Sequence, residues 1–241
     1  MTKKPFVSLA NLVEYATTPS AARRRQIIEQ YHNPEVIRFD WHGASDAIFA
    51  QRACGSASAD HLIDIEKRRV RDLIVGDKTK NRRSRHIMHL IELLESSDLL
   101  RLTDGTDASV ASELSADFSI GALTVRVRPS LVLSRNKMGK KYPELGILKC
   151  HNLSTFKLSE IGGQLYAVGL QLYAENSLGA DRVFCDLCRT YDLFSDKMHS
   201  APKNQKRLRI QLVDAAQEIL DRWAAIGLRI AAATEKGRKA S

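Results

Sequence analysis

The spacing of apolar residues predicts a helical region over the first hundred residues. Leu9, Leu12 and Val13 fall on one face of a short segment that Ser8 can cap. Four further segments with helical spacing are predicted at 21–31, 46–53, 59–75 and 85–96. Residues 1–100 are therefore predicted to form a helical N-terminal region.

The period of the pattern changes after residue 101, where apolar and polar residues alternate. This alternation predicts one strand at 115–120 and another at 123–133, and Gly121 between them indicates a hairpin. A polar, glycine-containing stretch then separates 123–133 from a third strand at 145–150. These three strands are predicted to form a meander in one sheet.

Helical spacing returns in the last third of the chain. A helix at 160–174 contains three glycines, a strand is predicted at 182–187, and a long helix follows at about 203–230. The apolar stripe of the long helix consists of Leu212, Val213, Ala216, Ile219, Leu220 and Trp223. The whole order predicts an α+β protein with a mixed β-sheet, in which residues 101–241 form a second region or join the first in one continuous domain.

Composition narrows the class of protein. The chain has 241 residues, of which 44% are hydrophobic, and this is ordinary for a folded protein. No apolar run approaches the roughly 20 residues of a membrane span, and no secretory signal is apparent. We therefore expect a soluble cytoplasmic protein that does not associate with membranes.

The charge is positive and unevenly distributed. The chain carries 37 Lys+Arg and 28 Asp+Glu, a formal net charge of +9. Nine basic residues lie between Lys67 and Arg85, and a smaller group lies between Lys203 and Arg209. Such clusters can neutralise phosphates, whereas the alternative is a solvated connection between helices. The residues of these clusters that we expect to contact nucleic acid are Arg68, Arg69, Arg71, Lys80, Arg82, Arg83, Arg85, Lys206 and Arg207.

Three segments of the second half resemble the core of the PD-(D/E)XK nuclease superfamily. They are 127–133, which contains Pro129-Ser130, then 146–149, which ends at Lys149, and the helix at 160–174. The resemblance covers roughly 113–190 and implies a mixed sheet in αβββαβ order. It also implies two acidic residues and a lysine on adjacent strands, which hold Mg²⁺ or Mn²⁺ and activate a water molecule.

Only the lysine of that site matches. Lys149 stands at the position of the lysine, but Ser130 and Ile147 stand where the two acids are expected. The resemblance therefore implies a degenerate, non-catalytic protein that binds DNA or assists an assembly on it. In this reading Arg126, Arg128 and Lys149 contact phosphate, and no cofactor is required.

Two alternatives remain open. In the first, the acids have moved, and Asp117 together with Glu144 or Glu160 binds Mg²⁺ or Mn²⁺ beside Lys149 in an active deoxyribonuclease. Glu160 at a helix start is also favourable against the helix dipole, and Glu144 after Pro143 is typical of a solvated loop. In the second alternative, the chain is a protein-interaction scaffold that does not bind nucleic acid, and its basic charge serves only solubility or an acidic partner. In either case the long C-terminal helix could contact a protein partner or a second copy.

The cysteines suggest a possible zinc site. Cys150-His151 and the pair Cys185 and Cys188 could supply four tetrahedral ligands. However, Cys185 and Cys188 fall in a predicted strand, where positions three apart project to opposite faces. We therefore favour buried, reduced cysteines.

Overall fold

A computed structural model describes residues 4–32, 43–73, 78–112, 114 and 117–239. Within these ranges the helices are α1 Leu9–Thr17, α2 Ala21–His32, α3 Gly43–Ala53, α4 Ser58–Leu73, α5 Lys78–Ser96, α6 Glu160–Ala174 and α7 Lys206–Lys239. The strands are β1 Phe6–Ser8, β2 Asp107–Val110, β3 Asp117–Ile120, β4 Leu123–Arg126, β5 Leu131–Arg135, β6 Glu144–His151, β7 Arg189–Asp192 and β8 Lys197–Ser200.

The strands form two sheets. A five-stranded mixed sheet has the order β2-β5-β6-β7-β8, in which β6 and β7 are parallel and the other neighbours are antiparallel. A three-stranded sheet has the order β1-β4-β3, with β1 parallel to β4. The protein is therefore α+β, with a mixed sheet and a long C-terminal helix.

Two hydrophobic cores cover the two faces of the larger sheet. Ile147 of β6 belongs to the first core, which also contains the apolar residues of α1, α2, α6, α7 and the smaller sheet. The neighbouring Leu148 belongs to the second core, which contains those of α3, α4 and α5. This alternation follows from the period of two in a strand. Elements from both sides of residue 100 thus contribute to each core.

The predicted helices are confirmed over the described residues, whereas positions 74–75 of the helix predicted at 59–75 lie outside them. The Ser8 hydroxyl accepts a hydrogen bond from the Asn11 N–H at 3.2 Å, which caps α1 as its sequence predicted. The glycines of α6 allow close approach of neighbouring side chains, because a Cβ at Gly163 would lie 2.1 Å from the His199 ring of β8. A Cβ at Gly169 would lie 2.5 Å from Leu9 of α1.

The single strand predicted at 123–133 is wrong. The chain leaves the smaller sheet after β4, crosses at 127–130, and enters the larger sheet as β5. Pro129 lies at this crossing and has no N–H to donate to a ladder, which explains the break. The meander predicted from 115–120, 123–133 and 145–150 is therefore wrong, because β3 and β4 form a hairpin around Gly121 in the smaller sheet, and positions 115–116 lie outside the described residues. The antiparallel run of three strands in the larger sheet is β2–β5–β6.

Other expectations fail where strands lie at an edge or where the chain turns tightly. The strand predicted at 182–187 is wrong: Cys185–Leu187 is a 3₁₀ turn, and β7 begins two residues later. The edge strands β2 and β8 were not predicted, because most of their residues are exposed and show no clean alternation. Val213, predicted on the buried stripe of the long helix, is 51% exposed.

The part of the chain that the structure describes contains no helix that is both long enough and apolar enough to cross a membrane.

Candidate phosphate-binding site

The strand pairing places Ser130 beside β6, as the resemblance predicts. The Ser130 N–H donates to the Leu148 carbonyl at 3.0 Å, and the Ser130 hydroxyl accepts from the Cys150 N–H at 3.2 Å. Ser130 is buried, and its hydroxyl therefore completes the hydrogen bonding of the sheet. Ile147 is fully buried in the first core. Both positions where the resemblance expects an acid are thus occupied by structural residues.

Lys149 forms an ion pair with a residue that the sequence did not indicate. Its Nζ lies 2.6 Å from Oδ2 of Asp46 on α3, and the two side chains are 12% and 24% exposed. The other carboxylate oxygen of Asp46 accepts from the Asn152 amide at 3.4 Å. Because 103 positions separate the partners, no local pattern could have revealed the pair.

A pocket of about 210 Å³ opens next to this ion pair. Three residues that the sequence predicted as phosphate contacts, Arg126, Arg128 and Lys149, line it together. Its wall is completed by the start of α1, by Asp46 and by the segment that follows β6. The remaining lining residues are Ser8, Leu9, Ala10, Val127, Cys150, His151, Asn152, Leu153 and Tyr166.

The start of α1 lines this pocket. The first N–H groups of a helix have no intrahelical partner and carry a partial positive charge. Ser8 caps the N–H of Asn11, while Leu9 and Ala10, the first two residues of the helix, line the pocket. An anion in the pocket would therefore lie at the N-terminal end of a helix, beside cationic side chains.

Two nearly buried side chains in the pocket wall retain hydrogen-bonding capacity. Tyr166 is 4% exposed, and its hydroxyl has no hydrogen bond to any residue that the structure describes. Burial raises the pKa of this hydroxyl, which keeps it protonated and able to donate. The arrangement thus offers an additional neutral donor to a ligand.

His151 contributes an acceptor to the same wall. It is 2% exposed, and its Nε2 lies 2.5 Å from the Phe156 carbonyl. Because a carbonyl only accepts, Nε2 carries the proton in the neutral ring and Nδ1 is the acceptor. Burial lowers the pKa of His151, which favours this neutral form.

Arg126 is held at the mouth of the site by the smaller sheet. Its guanidinium donates to both carboxylate oxygens of Asp117 at 2.8 and 3.2 Å and lies 5.6 Å from the centroid of the Phe6 ring. The hydrogen bonds from Arg126 lower the pKa of Asp117. Asp117 itself lies on β3 in the smaller sheet, whereas Lys149 lies in the larger sheet. The carboxylate of Asp117 thus bonds to Arg126 and does not lie on the first strand of the sheet that contains Lys149.

The two other predicted carboxylates also bond elsewhere. Glu144 was expected in a solvated loop but is the first residue of β6, with a side chain only 1% exposed, and it accepts from Arg135 and Lys140. It lies five positions before Lys149 on β6, about 17 Å away at roughly 3.3 Å per residue. Glu160 begins α6 as predicted, is 72% exposed, and accepts from Gln164.

No metal cluster joins these residues. Across the described ranges, no group of three or more His, Cys, Asp or Glu residues could hold a metal ion. All four cysteines are free thiols. Cys150 packs in the second core while His151, next to it on β6, faces α6 and contacts Tyr166. The expectation of buried, reduced cysteines thus agrees with Cys150 and Cys188, and Cys185 is partly buried.

The remaining predicted contacts lie on other helices. Arg68, Arg69 and Arg71 are exposed on α4, although Arg69 forms an ion pair with Glu66, and Arg85 is exposed on α5. Lys206 and Arg207 are exposed at the start of α7. The side chains of Lys80, Arg82 and Arg83 lie outside the described part of the structure. The pocket therefore collects only some of the predicted basic residues, and α4 and α5 provide a separate basic surface.

Comparison of the chain with protein-family models, with curated proteins and with solved structures finds no match.

The ion pairs of Glu144 predict a pH-dependent stability. Hydrogen bonds from Lys140 and Arg135 lower the pKa of Glu144 from 4.5 to about 2. A carboxyl group with a lowered pKa stabilises the folded state above its unfolded pKa, and this contribution is lost as the pH falls through the folded value. The difference in free energy of unfolding between wild type and Glu144→Gln should therefore be full at pH 7 and shrink between pH 4.5 and about 2.

Urea unfolding at a series of pH values measures this difference. Glu160→Gln is the matched control, because its carboxylate is largely exposed and should contribute little at any pH. If the difference in free energy of unfolding between wild type and Glu144→Gln stays constant down to pH 2, the assigned ion pairs are wrong.

Proposed function

We propose that the protein binds nucleic acid, with DNA as the favoured ligand, and that a backbone phosphate occupies the pocket beside Lys149. The observation that carries this proposal is the convergence of Arg126, Arg128 and Lys149 on the start of α1. Arginine and lysine side chains together with helix N-terminal N–H groups are common phosphate ligands. The Tyr166 hydroxyl adds a donor that has no partner among the described residues.

We further propose that the protein is a non-catalytic relative of the PD-(D/E)XK nucleases and acts as a binding or assembly component. The order α5–β2–β5–β6–α6–β7 supports this relationship, because it is αβββαβ once the inserted hairpin of β3 and β4 is set aside. The structural roles of Ser130 and Ile147 support the absence of catalysis. A hard cation needs several oxygen ligands, and these two positions supply no carboxylate.

A metal-dependent deoxyribonuclease remains the second candidate, because one carboxylate does lie beside Lys149. That carboxylate is Asp46, which bonds to Lys149 and accepts from the Asn152 side-chain amide. This single carboxylate offers a weak fit to Mg²⁺ or Mn²⁺, since it is already paired with Lys149. Incubation of labelled DNA with Mn²⁺ and with EDTA separates the two candidates, because metal-dependent cleavage would contradict a non-catalytic role.

Salt-dependent binding tests the phosphate site directly. In fluorescence anisotropy with a labelled duplex, the logarithm of the affinity should fall linearly with the logarithm of salt concentration. Arg128→Gln should weaken binding and reduce the magnitude of that slope by about 0.9, the value for one lost phosphate contact on duplex DNA. Single-stranded DNA should show a smaller change of about 0.7.

Arg101→Gln provides the matched control. It removes the same charge from an exposed arginine that lies in a 3₁₀ turn and does not line the pocket. The control should leave the slope unchanged. An identical slope for Arg128→Gln and wild type would contradict the phosphate site, and no binding at 50 mM salt, a concentration at which protein–phosphate contacts are strong, would favour the scaffold alternative.

A further inference from the structure

The turn between β5 and β6 combines exposed apolar side chains with positive charge. Met138 is completely exposed at the tip, and Tyr142 is 54% exposed on the strand side of the same turn. Lys137 and Lys141 lie next to them in sequence. We call residues 136–143 the β5–β6 tip, and none of its basic residues belongs to the phosphate site described above.

Ionic contacts hold the β5–β6 tip on the sheet. Buried Glu144 accepts from Lys140 Nζ at 2.9 Å and from Arg135 Nη2 at 2.6 Å. The Lys140 Nζ also lies 4.2 Å from the centroid of the Phe184 ring. The tip is therefore fixed at its base, and its exposed apolar side chains are presented by an anchored turn.

The surroundings of the β5–β6 tip are positively charged. A pocket of about 260 Å³ lies at its base and is lined by Lys140, Lys141, Tyr142 and Arg182, among others. Arg182 forms no ion pair with the residues that the structure describes. Five cations (Arg135, Lys137, Lys140, Lys141 and Arg182) face three carboxylates (Glu144, Asp181 and Asp186).

We propose that the β5–β6 tip binds an unpaired stretch of nucleic acid, with one base stacked on Tyr142 and phosphates on Lys137, Lys141 and Arg182. Cations beside an exposed aromatic ring suit a strand that carries both charge and planar faces. The bases of a duplex are already stacked on one another, so that only an unpaired base can reach the ring. This inference rests on the proposed function, because the same strand would continue to the pocket at Lys149.

The distance between the two sites sets a length for the ligand. Glu144 at the base of the tip and Lys149 at the pocket are about 17 Å apart along β6. Because β6 is covered on both faces, a ligand must pass around it, and at about 3.4 Å per stacked nucleotide at least about five nucleotides separate the two contacts. An oligonucleotide of four residues should therefore reach one site only, whereas one of twelve residues should reach both.

Anisotropy titrations of the full chain with labelled dT4 and dT12 test this inference. Tyr142→Ala should weaken dT12 binding about tenfold, as expected for loss of one base–aromatic stack. Tyr142→Phe, which keeps the ring, should bind dT12 within about twofold of wild type. Lys141→Gln should reduce the salt slope for dT12 by about 0.7, which gives a second readout if Tyr142→Ala does not fold.

The outcomes separate this inference from the proposed function. If neither Tyr142→Ala nor Lys141→Gln changes dT12 binding while Arg128→Gln weakens it, the inference is wrong and the phosphate site stands. If wild type binds neither dT12 nor duplex DNA, both are wrong. Binding to phosphatidylserine vesicles that Tyr142→Ala abolishes, with unchanged dT12 binding, would instead assign the β5–β6 tip to an anionic membrane surface.

Discussion

Gly146→Ala is expected to lower the free energy of unfolding by about 3 kcal/mol or to prevent folding, because it overpacks the centre of the larger sheet. A Cβ at Gly146 would lie 2.3 Å from the backbone carbonyl carbon and oxygen of Leu187. Leu187 belongs to the 3₁₀ turn that leads into β7 and is itself fully buried. Backbone atoms cannot rotate away as a side chain can, and either β6 or the turn must therefore move.

Urea unfolding followed by circular dichroism measures this loss. Gly162→Ala is the control, since it lies in a helix and its added Cβ would meet side-chain atoms alone, Ser159 Oγ at 3.2 Å and Leu158 Cδ2 at 3.9 Å. Alanine is favoured over glycine in a helix by up to about 1 kcal/mol, and the control should therefore be as stable as wild type or more stable. Wild-type stability of Gly146→Ala would mean that the 3₁₀ turn does not pack against β6 as described.

Lys149→Met is expected to lower the free energy of unfolding by about 2 kcal/mol and to weaken DNA binding at least tenfold. Removing one partner of a fully buried ion pair costs about 3–5 kcal/mol, and the smaller figure allows for the partial exposure of both side chains. The loss arises because Asp46 keeps its charge without its cation. Binding weakens because the pocket then contains an uncompensated carboxylate next to the expected phosphate.

Asp46→Asn tests the same pair from the other side. It should bind DNA more tightly than wild type, because Lys149 is then released from its carboxylate and can contact phosphate. The double variant Lys149→Met/Asp46→Asn should regain most of the stability that Lys149→Met loses, because neither charge remains. A weaker affinity of Asp46→Asn would contradict the phosphate site and would point to a ligand that needs the carboxylate.

The sequence predicted the helices well because each buries a continuous apolar stripe. In α7, Leu212, Ala216, Ile219 and Trp223 recur with helical spacing and are all buried. The strand at 145–150 was equally clear, since β6 is covered on both faces and nearly all its residues are buried. These spacings of apolar residues arise within one helix or one strand, and they can therefore be read from the sequence alone.

Sheet membership depends on contacts that the sequence does not display. Val125 and Val127 continue one alternating pattern, yet β4 ends between them and the chain changes sheet. The edge strand β8 has only one buried residue, His199, so that its pattern is that of a loop. Tertiary packing decides which of the two sheets a strand joins. The alternation of apolar and polar residues indicates only which face of the strand is covered.

The sequence predicted only part of the candidate site, because some of its contacts join residues that are distant in the chain. Lys149 was identified from the nuclease resemblance and Arg126 and Arg128 from a predicted strand, and the structure places all three at one pocket. Asp46 was missed because its partner is distant in sequence. Glu144 was expected in solvent because a proline and lysines precede it, whereas those lysines in fact neutralise it in a buried position.

The arrangement of the first core also constrains the order in which the chain can fold. β1 at the start of the chain pairs with β4, and Arg24 of α2 reaches Glu218 of α7 across 194 positions. Chains emerge from the ribosome N-terminal end first, and distant contacts form slowly. The apolar face of α2, and the part of the α1 face that does not pack on α6, therefore stay unburied until α7 has been synthesised. The second core needs residues only as far as Leu193, and a nascent chain could complete it first.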